Sequence, residues 1–316
     1  MTLERGVRPS VRQLECLVAT AKHLNFRAAA RDCHVSQPAL SSQIARLEES
    51  LGVLLFERNR RRVLLTPVGE VVVERAKKLL ADIDDVTAVA QAHVAPLGGL
   101  LRLGVIPTIA PFLMPRALPL LRRACPELEI LLREEQTGRS LELLEEGKLD
   151  AVLLALEADL GEVTALPLFR DAFMFAAAMG NPLSGRKAVR PSDLEGQRVL
   201  LLEDGHCLKD QAWSICEAQG VRDYVDFRAT SLGTLAQMVS SGAGVTLLPE
   251  LSVPTVGTLP GMVVKPFVKP VPYRTIGVVW RPTSPRRALF EVIGAALREL
   301  APSRASRIDV APSSFR

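Results

Sequence analysis

Apolar and polar positions along the chain change period several times, and each change marks an element. Between Val11 and Leu24 the apolar residues Leu14, Leu17, Val18 and Ala21 fall on one helical face. Asn25 then offers an N-cap for a short Ala-rich helix, Phe26 to Cys33, and Ser36 a second cap for a third helix with Pro38 in its first turn. On that third helix Leu40, Ile44, Leu47 and Leu51 share a core face, while Pro38, Ser42 and Arg46 point the other way and Gln37 and Ser41 sit at the N-terminus. Gly52 ends the helix, and Phe56 to Thr66 reads as a short hairpin bearing Arg58, Arg60, Arg61 and Arg62.

Thr66 and Pro67 open a longer pattern, with apolar residues at Val68, Val72, Ala76, Leu79, Ile83, Val86 and Ala90. A helix from Pro67 to about Ala95 would span roughly 40 Å, and its one-sided seam predicts coiled-coil pairing with a second copy. Pro96 to Gly99 stops it and forms a joint. Beyond, strands and helices alternate: strand Leu101 to Ile106, helix Pro111 to Ala124, strand Leu128 to Arg133, helix Ser140 to Gly147, strand Asp150 to Leu156. A similar alternation follows from Phe173, which predicts parallel sheet in two α/β lobes. The chain crosses between lobes near Phe169 to Ala172 and returns near Tyr273 to Trp280, before a last helix, Pro285 to Leu300. The expected division is therefore 1–66, a winged helix-turn-helix; 67–100, a linker and dimerisation helix with a hinge; 101–302, a two-lobed α/β sensor; and 303–316, a disordered tail.

Charge sharpens the first of these. Residues 1–66 carry eleven Lys/Arg against six Asp/Glu, whereas the whole chain has a formal net charge of +4, so the remaining residues sum to about -1. A basic module with this helix order reads double-stranded DNA. The N-terminal residues of the second helix of the motif meet base edges, so Ser36, Gln37, Pro38, Ser41 and Ser42 are the candidate readers, Gln37 being able to pair bidentately with adenine. Arg58, Arg60 and Arg61 on the wing would reach phosphates or the minor groove.

The chain is 48% hydrophobic and 23% charged, and no apolar run reaches the 18 or so residues that a membrane helix needs. With no apolar h-region behind Met1 to Ser10, a cytoplasmic protein without membrane contact is expected. The five cysteines are odd in number and show neither CxxC nor zinc spacing, so no metal and no cofactor is expected. Cys16, Cys33 and Cys125 read as inert core thiols.

Cys207 and Cys216 differ. Cys207 follows the strand Arg198 to Leu202 and a Gly turn, and opens a helix, where N-terminal amides, His206 and Lys209 favour a thiolate. Cys216 lies nine residues on, about 13 Å along a helix and on the opposite face, whereas a disulfide needs Cα atoms roughly 4.4 to 6.8 Å apart. The stretch is either a two-state element, thiol helix or disulfide loop, or two small hydrophobes that share a helix. Three strand ends point to one cleft: Ile106-Pro107-Thr108, Glu135-Gln136-Thr137 and Gly205-His206-Cys207, with Thr230-Ser231 ending a fourth strand. Hydroxyls at Thr108 and Thr137 beside a thiolate suit a very small polar ligand; the same threonines, and Ser231, could instead cap the helices they precede.

The runs Phe26-Arg27-Ala28-Ala29-Ala30, Val35-Ser36-Gln37-Pro38-Ala39-Leu40-Ser41, Leu51-Gly52-Val53-Leu54-Leu55-Phe56-Glu57-Arg58 and Leu65-Thr66-Pro67-Val68-Gly69 resemble the N-terminal domain of LysR-type transcriptional regulators. The resemblance implies that the two lobes form the periplasmic-binding-protein-like sensor domain of that family. Leu202 to Gln211 with Cys216, Phe227 to Leu232, Gly244 to Pro249 and Arg274 to Gly277 are similar to its hydrogen-peroxide-sensing members. That likeness implies a peroxide pocket of Thr108, Thr137, His206, Asp210 and Arg274, with Asp210 assisting proton movement. Cys207 would be the redox nucleophile and Cys216 the resolving cysteine of a Cys207–Cys216 disulfide. It also implies a homodimer or homotetramer that recruits RNA polymerase and is reset by glutathione or glutaredoxin, rather than an enzyme. The alternative within the family is a regulator that answers a metabolite in the inter-lobe cleft; outside it, a thiol peroxidase. Lys209 stands where an Arg is expected, and Trp213-Ser214-Ile215 departs from the pattern before the resolving cysteine.

Overall fold

The computed structural model describes residues 8–58, 62–217, 228–302 and 313–314. The chain divides into two compact units, Met1–Ala88 with Glu145–Lys148, and Val89–Leu144 with Leu149–Arg316.

In the first unit, helices α1 (Val11–His23), α2 (Phe26–Asp32) and α3 (Gln37–Leu51) are followed by the hairpin β1 (Phe56–Arg58) and β2 (Val63–Leu65) and by the long helix α4 (Pro67–Val94). The caps are those the sequence offers. Ser10 closes a capping box with Gln13, Asn25 accepts from the amides of Arg27 and Ala28, and Ser36 accepts from that of Ala39. Leu17, Leu40, Ile44, Leu47 and Leu55 are fully buried in one core with Cys16 and Phe56. Glu48, on the buried side of α3, accepts the amides of Leu55 and Phe56 through Oε1 at 2.9 and 3.1 Å, tying helix to wing.

Two expectations need correction here. Leu51, assigned to the core face, is 38% exposed, because α3 stops at that residue and Gly52 turns the chain away with φ +69°. The α4 seam is also split. Val73 and Ala76 are buried in the helix-turn-helix core and Val72 packs against it. Among the described residues, Val68, Val71, Leu79, Ile83, Val86 and Val89 are the exposed large apolar residues of α4.

The second unit begins with β3 (Gly99–Val105), α5 (Ala110–Ala124), β4 (Leu128–Glu134), α6 (Thr137–Glu145), whose last residue clusters with the first unit, and β5 (Ala151–Ala155). Then come β6 (Thr164–Ala178), a 3-10 turn at Pro191–Leu194, β7 (Leu201–Leu202), α7 (Cys207–Glu217), β8 (Arg228–Ala229), α8 (Leu232–Ser240), β9 (Thr246–Pro249), α9 (Val253–Val256), β10 (Met262–Pro266), β11 (Tyr273–Trp280), α10 (Arg287–Arg298) and β12 (Ser313–Ser314). In one lobe β4, β3 and β5 are parallel neighbours, continued by β11 and the first half of β6, which run antiparallel. In the other, the second half of β6 pairs with β10 and β9, and a parallel bridge from Val199 to Val245 leads to parallel β7 and β8.

The expected parallel sheet is therefore mixed. A single strand, β6, carries the chain out of the first lobe and β11 carries it back, so these neighbours must run in opposite directions. Tyr273 faces Ala172 and Arg274 faces Asp171 across that pair. Of the tail, Ser313–Ser314 pairs antiparallel with Ala165 and Thr164, so that pair is ordered as a strand; the rest of 303–316 lies outside the described residues.

Candidate functional site

The loops after four strands of the second unit meet. From β3 comes Ile106-Pro107-Thr108, from β4 Gln136 and Thr137, from β7 Gly205, His206 and Cys207, and from β8 Thr230 and Ser231. Open α/β sheets bind ligands beyond the carboxyl ends of their strands, because loops and helix N-termini converge there. Ile106, Pro107, Thr108, Gln136, Thr137, Gly205, His206 and Cys207 line one tight recess with no free space for so much as a water molecule. Beside it a wider depression of about 300 Å³ is lined by residues including Phe112, Glu134, Glu135, Glu203 and Ser231, and shares His206 and Gln136 with the recess.

Cys207 is the first residue of α7 and partly exposed, as its place after the turn predicts. The turn itself is specified by glycine. Gly205 has φ +91°, and a Cβ there would lie 2.4 Å from Gln136 Oε1. Gln136, legible in the sequence only as part of a strand end, thus lies against the turn that presents the thiol.

The threonines have unequal surroundings. Thr108, 2% exposed, caps nothing: Ile109 holds the N-cap position of α5 without a side-chain bond. Instead Arg274 Nη1 donates to Thr108 Oγ1 at 2.8 Å and Arg274 Nη2 to the Thr108 carbonyl at 3.1 Å. Thr137 is 7% exposed at the start of α6, and its Oγ1 is buried with no hydrogen-bond partner among the described residues. A buried hydroxyl left unpaired costs about 1–3 kcal/mol. Ser231 does cap, accepting from the amide of Thr234 at 3.2 Å.

Burial works against the positive potential expected from His206. The ring is 5% exposed, and burial holds its pKa below the ordinary value, against the opposing pull of Glu203, Glu134 and a backbone bond with Thr230. Lys209 is paired with Asp204. Cys207 itself holds the first position of α7.

Asp210 and Arg274 also stand differently from the pocket residues. Asp210 is exposed and lines a separate depression with Glu157, Gln211, Ser214 and Tyr273, so it is not brought to the recess around Cys207. Arg274 is fully buried and reaches the recess only through Thr108. Across the strand pair its Nε and Nη2 lie 3.0 Å from Asp171 Oδ2, and Asp171 Oδ1 accepts the amide of Leu251 at 2.9 Å. Burial pushes the Asp171 carboxyl up from the usual range, while Arg274 and that amide pull it down.

On α7, Leu208, Ala212 and Cys216 form the buried face. Cys216 is fully buried in the apolar core, which pushes its thiol up to about 12. Both cysteines are free. Cys16, Cys33 and Cys125 are buried thiols too, all pushed up by burial, Cys33 to about 11.

In the first unit Ser36, Gln37, Pro38 and Ser42 are exposed at the start of α3 and Ser41 is half-buried. Arg58 ends β1, and Arg60 and Arg61 lie outside the described residues. No group of three or more His, Cys, Asp or Glu among the described residues is arranged to hold a metal ion, and no described helix is long and apolar enough to cross a membrane.

Both units match known families. Residues 11–70 match the bacterial regulatory helix-turn-helix protein, lysR family, and residues 95–302 the LysR substrate binding domain. The chain is 44% identical over 289 residues to the DNA-binding transcriptional dual regulator OxyR of Escherichia coli (strain K12), covering 92% of this chain and 95% of that one. A full-length OxyR cysteine-to-aspartate variant from Pseudomonas aeruginosa superposes with a TM-score of 0.73 at 36% identity, covering 92% of this chain and 98% of that one. A cysteine-to-serine variant of Corynebacterium glutamicum OxyR with bound hydrogen peroxide gives 0.64 at 34% identity, covering 93% of each. The chain belongs to the LysR family of transcriptional regulators, and its similarity to the OxyR members of that family runs through both units.

Proposed function

We propose that this protein is a DNA-binding transcriptional regulator switched by hydrogen peroxide through Cys207 and Cys216. The observation that carries the reading is the recess itself: a partly exposed thiol at a helix N-terminus and a buried hydroxyl with no partner among the described residues line the same tight space. The Cys207 thiolate attacks one peroxide oxygen; the S–O bond forms, the O–O bond breaks, and the second oxygen leaves as hydroxide and takes a proton to become water. Thr108, whose Oγ1 is occupied by Arg274 as an acceptor, has its own hydrogen left to donate to the departing oxygen. Thr137 holds the guest from the other side, with His206 neutral beside it.

The Cys216 thiol then attacks the sulfenic sulfur, forming the disulfide and releasing water. For this α7 must unwind, which frees Cys216 from the core, and the lobe repacks. A dithiol system of the glutathione or glutaredoxin class returns both thiols by oxidising two of its own. Because the oxidised state is the signal, the protein acts stoichiometrically and not as a peroxidase.

Ser36, Gln37, Pro38, Ser41 and Ser42 enter the major groove in this reading, and Arg58, Arg60 and Arg61 contact phosphates. The exposed apolar residues of α4 pair with a second copy, giving a homodimer or a homotetramer that engages RNA polymerase in the cytoplasm.

The test is mass spectrometry after one equivalent of hydrogen peroxide, with free thiols alkylated before digestion. A Cys207–Cys216 crosslink that is lost in Cys207→Ser is expected. Arrest at Cys207 sulfenic acid would remove Cys216 from the mechanism. Two reduced cysteines would overturn the redox reading and leave a LysR-type regulator that answers a metabolite.

A further inference from the structure

Arg274 and Asp171 are both fully buried, directly opposite one another where β11 and β6 pass between the lobes. Removing two charges from water is costly, and an ion pair in such a place is weak evidence for stability. The geometry gives the pair another use. Arg274 directs Nε and one edge of Nη2 to Asp171 Oδ2, which leaves Nη1 and the rest of Nη2 for Thr108 Oγ1 and the Thr108 carbonyl. A guanidinium is a planar fork, so bonds along one edge fix where the other edge points. Asp171 is itself held, because its other oxygen accepts the amide of Leu251 from the segment after β9.

We infer that Asp171 is a positioning residue for the peroxide reaction: it locks the Arg274 fork so that Arg274 donates to Thr108 and the Thr108 hydroxyl is left as a donor toward the recess. Asp171 touches neither Cys207 nor the guest and acts through Arg274 alone. A hydroxyl carries one hydrogen and two lone pairs. With Arg274 Nη1 on a lone pair, the Thr108 hydrogen cannot turn toward the guanidinium and stays available where hydroxide departs. Were the fork free to rotate, Thr108 could turn its hydrogen to another acceptor and the leaving oxygen would lose a preorganised donor.

The inference rests on the peroxide reading, and its test separates the two. In the full-length protein the second-order rate constants of Cys207 with hydrogen peroxide and with iodoacetamide are measured by quenched alkylation for the parent, Asp171→Asn and Asp171→Glu. Alkylation needs the thiolate but no donor for departing hydroxide. Asp171→Asn keeps an acceptor for the Leu251 amide and is expected to slow peroxide by about 100-fold, the scale of losing one preorganised donor, with iodoacetamide changed less than about threefold. Asp171→Glu restores the carboxylate and is expected to recover about tenfold of that loss. A peroxide rate within about threefold of the parent in Asp171→Asn, or a parallel fall with both reagents, would overturn the inference while leaving peroxide sensing intact. Failure of both variants to fold would also overturn it, making the pair a matter of stability. A parent whose Cys207 ignores peroxide would remove the function on which it rests.

Discussion

If oxidation must unwind α7, a change that weakens only the helical form must drive the protein toward the disulfide. Ala212 is the place to make it, since it lies in the middle of α7 and is 3% exposed. Replacing Ala by Gly in a helix interior costs about 1 kcal/mol of propensity. The lost methyl removes roughly 0.8 kcal/mol of burial. Both terms act on the thiol form, where the helix is packed, and vanish in an unwound disulfide loop, so the equilibrium shifts by about 2 kcal/mol, some 30-fold, toward the disulfide. For a two-electron couple in which 30 mV corresponds to about 1.4 kcal/mol, the reduction potential of Ala212→Gly should fall by roughly 40 mV. The measurement is equilibration in graded glutathione buffers, acid quench, alkylation and mass spectrometry of the Cys207 and Cys216 peptides. A potential within about 10 mV of the parent, or one that rises, would mean that both redox states carry the helix equally. The unwinding argument would then fail, whatever the pocket does.

Thr137→Val removes the buried unpartnered hydroxyl at nearly constant volume. Thermal unfolding should be unchanged or improved by up to about 1 kcal/mol, while the peroxide rate of Cys207 falls about 10- to 100-fold; an unchanged rate would detach Thr137 from the site. His206 supplies a pH dependence. Its folded-state pKa is held below the ordinary 6.5, so the unfolded chain binds the proton more readily. The stability contributed by neutral His206 is therefore fully present above about pH 6.5 and is lost as pH falls through the lower folded value. Denaturant melts should show His206→Gln losing less stability than the parent between pH 7 and 5, and equal losses would refute the assignment.

How far the site could be read in advance depended on chain neighbours. Cys207 at the start of α7 and Thr108 and Thr137 at strand ends follow from local pattern, because a Gly turn between strand and helix leaves few places for the next side chain. Asp171 could not be found that way, and Gln136 was legible only as part of a strand end. Gln136 matters because of what a Cβ at Gly205 would meet, and Asp171 because β6 and β11 bring it opposite Arg274 from 103 positions away. The resemblance puts Asp210 in the peroxide pocket, but helix phase sends it to another depression, while His206 does line the recess and burial holds its pKa down.

The sequence by itself determined the helix-turn-helix, with its caps at Ser10, Asn25 and Ser36, the long helix after Pro67, the alternation of strand and helix, and the nine-residue gap that forbids a disulfide on an intact helix. These depend on φ/ψ preferences, capping chemistry and periodicity, all of which act within a few residues. Tertiary structure alone decided that the hinge strands run antiparallel, that Leu51 is exposed, that Val73 and Ala76 are claimed by the core, and that Thr108 is held by a guanidinium while the Thr137 hydroxyl has no partner among the described residues. Those outcomes turn on which distant groups exclude water from which, and desolvation and long-range pairing leave no mark in local sequence.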